Sequence, residues 1–415
     1  MSDPAPDRPR GLPGRADASA MRGYLRADGR KGIRNWGAVV YLVECAHHVA
    51  RRIAAPFEDA GAQLIGFPGC YPSAYAHRVI EALATHPNVG AVLIVSLGCE
   101  EFRRSALKEA VARSGRAVEL LVIQEAGGTT ATIEAGRTWL AARLAEAAAA
   151  PRVPVAFSDL VIGTKCGGSD GLSGITANPA VGAAFDRLHD LGATLIFEET
   201  SELLGCEAHM AARAVTPELG REIAAAVRKA DAYHRALGQS SFGGGNIKYG
   251  LSTIEEKSLG AYAKSGTRAI RGLLKPGDRP PRPGLYLLDT VSDGPVHHGY
   301  PNMNDNQTIT EMVASGAHMI VFTTGAGSVV GQAVAPVIKV VSNSRVFQRL
   351  ADDIDVNAGT IADGAESIDG VGARILERVV AMASGEPSRS EALGHQEFSL
   401  TYKTYEPLGP SCLPA

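Results

Sequence analysis

The stretch Val155–Ala180, VAFSDLVIGTKCGGSDGLSGITANPA, decides how this chain is read. An apolar run over Val155–Gly163 is followed at once by a cysteine and a loop of glycine, serine and aspartate. Asn178-Pro179 then opens a helical pattern. A strand that ends in a polar glycine loop and feeds a helix is the unit of a parallel α/β sheet. The same alternation recurs along the chain. Strand patterns are read at Gly37–Glu44, Ala62–Gly66, Ala91–Leu97, Glu119–Gln124, Ala193–Glu198, Leu285–Asp289, Met319–Thr323 and Pro336–Val341. Helical patterns fall at Ala74–Thr85, Ser105–Arg113, Thr130–Ala150, Pro179–Leu191, Pro217–Leu237, Ile254–Lys264, Asn306–Ser315 and Gly370–Ser384. Continuous apolar strands between helices imply sheets covered on both faces. The fold class expected is α/β, with parallel-sheet Rossmann-like domains and helices on both faces.

The length of 415 residues exceeds one ordinary core. Residues 1–20, rich in Pro, Asp and Arg, read as a disordered tail. Pro151 and Pro154 stop a long Ala-rich helix and mark a boundary between a first domain, 21–151, and a larger second one, 152–395. KPGDRPPRPG at Lys275–Gly284 reads as a linker or a crossover within it. Residues 396–415 read as an irregular tail. Net charge is −3, which gives no pull toward nucleic acid or an anionic membrane. No apolar run reaches the ~18 residues of a membrane span, and the start lacks a signal peptide's apolar segment. A cytoplasmic enzyme acting on a small molecule is the expectation.

Six cysteines are present: Cys45, Cys70, Cys99, Cys166, Cys206 and Cys412. Four of them, Cys45, Cys70, Cys99 and Cys166, fall just past a strand pattern, where ligands bind in open parallel sheets. Cys70, Cys99 and Cys166 each adjoin glycine. Two readings stand: small buried residues at strand ends, or thiolates converging on a soft metal. No CxxC spacing supports the second. Glycine loops at Cys166–Gly174, Gly127–Thr130, Gly243–Asn246 and Thr323–Ser328 read as sites where backbone N–H groups meet an anion. No dinucleotide or P-loop fingerprint is present. Acids and histidines near the strand ends, among them Glu100, Glu101, Glu198, Glu199, Glu202, Asp289, Asp293, His297 and His298, are candidates for proton transfer.

Several of these segments together resemble one family. GYLRADGRKGIRN (Gly23–Asn35), LGCE (Leu97–Glu100), CGGSDGLSGITANPA (Cys166–Ala180), IEEKSLGAYAKSGT (Ile254–Thr267), FTTGAGS (Phe322–Ser328) and DVNAGTIADG (Asp355–Gly364) are similar to the altronate/galactarate dehydratases, a family that includes the large subunit of sulfolactate sulfo-lyase. The resemblance spans about residues 22–390. It implies an iron-dependent lyase that removes water, or sulfite, from a hydroxy acid to give a 2-oxo acid. It implies iron, as Fe2+ or an iron–sulfur cluster, at Cys70, Cys99 and Cys166, with Cys45 as a fourth candidate. Ser169, Asp170, Lys248, Thr324 and Ser328 are then candidates for holding the acid, and Glu100 and His298 for moving a proton. Arg34 and Asn35 either line the site or brace the first strand. GFPGCYPSAYA (Gly66–Ala76) keeps the family's cysteine but not its histidine. Only about 20 residues precede the first motif, where sugar-acid members carry an extra small domain, so a separate small subunit and an oligomer are expected. The rival readings are a metal-dependent hydrolase and a non-catalytic binding subunit.

Overall fold

The computed structural model describes residues 20–238, 244–293 and 304–403. Its first half is a four-stranded parallel sheet. The strands are β1 (Trp36–Tyr41), β2 (Ala62–Gly66), β3 (Val89–Ser96) and β4 (Ala117–Val122), in the order β2-β1-β3-β4. Alternate residues of these strands face opposite sides, as strand geometry requires. Val39, Leu93 and Val95 pack with helices α1 (Glu44–Ala54) and α4 (Thr129–Ala149). Ala38, Val40, Val92 and Ile94 pack with α2 (Ala74–Ala84) and α3 (Arg104–Arg113).

The second half holds seven parallel strands. These are β5 (Val161–Cys166), β6 (Thr194–Phe197), β7 (Ile270–Leu274), β8 (Leu285–Leu288), β9 (Met319–Thr324), β10 (Val337–Val341) and β11 (Val356–Asn357). Their order is β7-β8-β6-β5-β9-β10-β11. On one face Ile162, Leu195, Met319 and Val321 pack under α5 (Ala177–Asp190), α6 (Pro217–Ala236) and α9 (Ile368–Ala383). On the other, Ile196, Ile320 and Phe322 share a core with α8 (Asp305–Ala314) and with α2 of the first half. One continuous apolar core therefore joins the two halves. A small antiparallel set (Arg22–Leu25, Lys31–Gly32, Val153–Pro154) ties the start of the chain to the connection between them.

The α/β class and the parallel sheets agree with the sequence, with local corrections. The strand read at Val155–Gly163 begins only at Val161 and runs through Cys166, because Phe157–Asp159 forms a single 3₁₀ turn first. Helix α5 starts at Ala177 after Thr176, so Asn178 is inside it rather than its cap. The stretch 275–284 is a helix-free crossover between the neighbouring parallel strands β7 and β8. Helix α1 and strand β7 were not read from the sequence at all. Residues 1–19 and 404–415, Cys412 among them, lie outside the described residues. Residues 396–403 run without helix or strand, yet Leu400 is buried in the shared core.

Candidate active site

In the larger sheet the chain moves from β5 to β6 on one side and later returns to β9 on the other. The point between β5 and β9 is where strand order reverses, which is where open α/β sheets form a crevice. Thr323 of β9 pairs with Cys166 of β5, so the two following loops leave the sheet side by side. They are zipped together: Gly167 N–H donates to the Thr323 carbonyl (2.9 Å), and Gly325 and Ala326 N–H donate to the Gly168 carbonyl (2.8 and 3.0 Å). Glycine is needed for this approach. A Cβ on Gly325 would sit 2.4 Å from Asp170, and one on Gly167 would sit 2.6 Å from the Phe322 ring.

Of the loops read as anion cradles, the one at Cys166–Gly174 has several backbone N–H groups already paired within the protein. The Cys166 N–H donates to Glu199 (2.6 Å), Ser169 N–H to Asn246 (3.1 Å), Asp170 N–H to Ser173 (3.0 Å) and Gly171 N–H to the Tyr249 carbonyl (3.3 Å). These donors hold the loop's own shape, and side chains face the cluster.

Those side chains form a buried charged cluster. Lys257, on α7 (Ile254–Ala263), points its ammonium at the Cys166 sulfur (3.1 Å), Ser169 Oγ (2.6 Å) and Glu202 (3.1 Å). Lys264, one residue past that helix, reaches Glu199. Lys165 of β5 bridges Glu198 (3.2 Å) and Glu199 (3.3 Å). Lys257 and Lys264 are seven residues apart, so two helical turns bring both ammoniums to one face. All three lysines and both Glu198 and Glu199 are buried. Such charges survive burial only when paired. Burial opposes ionisation of Glu199, but Lys165 and Lys264 outweigh it and hold its carboxyl far below the usual range. Burial pushes Glu202 up to about 7 and the Cys166 thiol up to about 11, with Glu199 adding to both shifts. Burial disfavours the charged forms of Lys165 and Lys257, yet Glu198 and Glu199 raise the pKa of the first and Cys166, with Glu202 and Glu199, raises that of the second.

Cys166, Glu199 and Glu202 bring one ligand atom each within 4.8 Å of one another, the single such group among the described residues. Cys166 is buried there, whereas Cys45, Cys70 and Cys99 are exposed at the ends of the first sheet and are not among these donors. One thiol and two carboxylates suit a divalent transition metal. The fit is supported by Cys166 and Glu202, two donors that burial disfavours as anions and that a cation would stabilise ionised.

Of the other residues singled out, Ser169 touches the cluster through Lys257. Asp170 does not face it. It ties its loop to Ser173 (2.8 Å), Ser342 (2.7 Å) and Asn343 (2.8 Å). Thr324 and Ser328 serve their own loop, accepting from Gly327 and Val330 N–H. Lys248 is exposed, and Asn246, two residues before it, makes the contact to Ser169. Glu100 accepts from Ser96 and from Gly98 N–H, closing the turn after β3. Arg34 pairs with Glu391 and three backbone carbonyls, and Asn35 bonds Arg26 and the Ala147 carbonyl, so both act as braces. His298 lies outside the described residues. The lysines were missed as site residues. Their sequence signal was KSLGAYAK at 257–264, two lysines seven apart among small residues.

A parallel α/β sheet with a buried lysine–thiol–carboxylate cluster at its switch point defines an enzyme. Comparison with known proteins says of which kind. The family models D-galactarate/altronate dehydratase, C-terminal, and D-galactarate dehydratase/altronate hydrolase, second domain, match residues 157–405 and 23–148. The (2R)-sulfolactate sulfo-lyase subunit beta of Chromohalobacter salexigens is 33% identical over 399 residues, 92% of this chain and 97% of that protein. The galactarate dehydratase (L-threo-forming) of Escherichia coli is 32% identical over 88% of this chain and 73% of its own length. The altronate dehydratase of Bacillus subtilis is 29% identical over 92% of this chain and 77% of its own. The chain belongs to the D-galactarate/altronate dehydratase family, and it is a lyase.

Proposed function

We propose that the chain eliminates water from a hydroxy acid, giving an enol that tautomerises to a 2-oxo acid. The observation that carries this reading is Lys257, a buried ammonium held against Cys166, Ser169 and Glu202 at the switch point. A carboxylate drawn to that ammonium would keep the developing enolate charge beside a fixed cation in a water-poor site. Asp305 at the start of α8 is assigned the proton acceptor. Its carboxylate lies near the Cys166–Gly167 turn, about 3.1 Å from where a Gly167 Cβ would stand, and burial raises its pKa. It would take the proton from the carbon next to the carboxylate. The C–H electron pair then forms the C=C bond, and the C–O pair departs with hydroxide, which becomes water on protonation.

We assign the metal to Cys166, Glu199 and Glu202, as iron, with Cys70 and Cys99 outside the donor set. When bound, the ion supplies a Lewis acid for the leaving hydroxyl. A second reading, loss of sulfite from sulfolactate, is favoured by the match over 97% of the sulfo-lyase subunit. That relative's name, subunit beta, supports a separate small partner chain. Among the described residues no helix is long and apolar enough to cross a membrane.

The test is anaerobic protein incubated with galactarate, altronate or (2R)-sulfolactate, with 2-oxo acid and sulfite both assayed. A 2-oxo acid without sulfite supports the first reading, and with sulfite the second. Hydrolysis of an ester or amide with no 2-oxo acid overturns both. Iron without acid-labile sulfide, lost in Cys166→Ser, is expected for the assigned donors. Iron with sulfide would overturn them in favour of a thiolate-bound cluster.

A further inference from the structure

The crossover KPGDRPPRPG at Lys275–Gly284 has no part in the proposed active site, yet it carries Arg279 to the seam between the two halves. A cavity of about 270 Å³ lies there. Arg30 and Lys31 line it from the chain start, Pro87 from the first half, and Asp159, Arg279 and His318 from the second. Asp159 and His318 come just before β5 and β9. The cavity is therefore at the N-terminal ends of those strands, whereas the proposed active site is past their C-terminal ends.

Two guanidiniums converge on one residue across the seam. Arg30 donates from Nη2 to the Thr85 carbonyl (2.6 Å), and Arg279 donates from Nη2 to Thr85 Oγ1 (3.3 Å). Among the described residues Arg279 makes no other hydrogen bond, and it is exposed, so its remaining N–H groups are open to a ligand. Pro280 and Pro281 follow it directly and stiffen the backbone that presents it.

The surrounding charge is unbalanced. Arg26 and Arg116 both lie close enough to Arg30 for its charge to act on theirs. Arg26 donates to the carbonyls of Pro87 and Arg34 and to Asn35, and Arg116 to the carbonyls of Val89, Ser114 and His86. Neither donates to a carboxylate. The acids nearby are Asp28, bound to Arg30 (2.6 Å), Asp159, bound to Lys31 (2.8 Å), and the exposed Glu81, which acts on Arg279. Five cations face three carboxylates, an excess of two positive charges. The crowding is felt by the arginines themselves. Burial, with Arg26 and Arg30 beside it, pulls Arg116 down to about 9, and burial with Arg30 lowers Arg279. An anion would offset this repulsion, and positive charge held in a cleft concentrates anions there. Guanidinium forks match the geometry of oxoanions, and an excess of two charges matches a dianion. The volume is below the ~300–1,000 Å³ of pockets for drug-sized ligands, so the occupant is small.

We infer that this cavity binds a small oxoanion dianion, phosphate or sulfate in shape and charge, which ties the crossover of the second half to the chain start. The experiment is isothermal titration of the full-length protein with inorganic phosphate and, separately, with sulfate, at matched ionic strength. Expected is saturable binding of at least one of them at millimolar concentration or below. Arg279→Gln should weaken that binding at least ~10-fold. Arg279 is exposed and makes one hydrogen bond, so the variant should keep the parent circular dichroism spectrum. Arg221→Gln, on α6 with its side chain 70% exposed, is the control for general loss of charge and should leave the affinity unchanged. No saturable binding of either anion by the parent protein would overturn the inference. An affinity unchanged in Arg279→Gln would overturn it too, because the anion would then sit elsewhere, as would an equal loss in Arg221→Gln. None of these results depends on turnover, so the outcome is separate from that of the lyase reading.

Discussion

Lys264 has no exposed side-chain surface, and its ammonium is held by a Glu199 that is equally enclosed. Removing Lys264 leaves the buried Glu199 with Lys165 at 3.3 Å as its remaining ion pair, and breaking a buried pair costs up to about 3–5 kcal/mol. Lys264→Met should therefore lower unfolding stability in urea by about that amount, while Lys264→Met with Glu199→Gln should recover part of the loss. A loss equal to the sum of the single changes would contradict the coupling. Lys257 is a different case, since its partners include Cys166 and Ser169 beside Glu202. Lys257→Met should cost kcat at least ~100-fold through the lost cation, and Lys257→Arg should not restore it, because a planar fork cannot replace a point charge at three partners. Steady-state kinetics on both variants checks this. At this scale the sequence was half legible. Cys166 and Ser169 stood out because they sit in an unusual glycine loop. Lysines in a helix usually read as solvated, and only the tertiary fold turns Lys257 and Lys264 inward.

The element that makes the site is the pair of loops after β5 and β9, and their closeness is a matter of missing side chains. Gly325→Ala would set a methyl 2.4 Å from both the backbone nitrogen and the carboxylate carbon of Asp170. Asp170 cannot yield easily, because Ser173, Ser342 and Asn343 all hold it. The loops must part instead, moving Cys166 and Ser169 away from Lys257. The expected result is a kcat/KM loss of ~100-fold or more, with the melting temperature down by only a few degrees. An unchanged kcat/KM would mean that the zipped loops do not position the cluster. Strand–loop–helix order at this element was readable from Val155–Ala180, since apolar runs and glycine breaks are local signals. What the glycines do was not readable. A glycine that presents an N–H and a glycine that lets two chains touch look the same in one dimension.

Across the whole molecule the two halves meet at a seam that carries two buried histidines. His318, just before β9, donates from Nε2 to the Lys31 carbonyl (2.9 Å), while its Nδ1 accepts the Val161 N–H (3.0 Å). Asn88 of the first half donates to the carbonyls of His318 and Val334 (3.0 and 3.1 Å) and accepts the Ile33 N–H (3.0 Å). His86 lies 5.8 Å away ring to ring, with its Nδ1 accepting the Asn88 N–H. Arg30 and Arg116 face this pair with positive charge, and Asp159 is the acid that faces His318. No motif announced the seam, because it is built from single residues contributed by the chain start, by the turn at 86–88 and by β5 and β9. Burial holds His318 down to about 4, and burial together with His318 lowers His86 well below 6.5. A proton on His318 Nδ1 would turn an acceptor against the Val161 N–H, so protonation breaks the bond as well as burying a charge. The unfolded chain takes up this proton near pH 6.5 and the folded chain only near pH 4. The unfolded state therefore binds more protons in that window, and stability must fall as pH drops through it. Stability from this source is complete above about pH 6.5, and the loss amounts to roughly 3 kcal/mol for His318 once pH 4 is reached. His318→Asn keeps an acceptor for Val161 and a donor for Lys31 without a titrating ring. Urea unfolding at pH 7.5, 6, 5 and 4 should show a shallower decline for this variant than for the parent protein. Parallel declines would mean that His318 does not govern how acid separates the two halves.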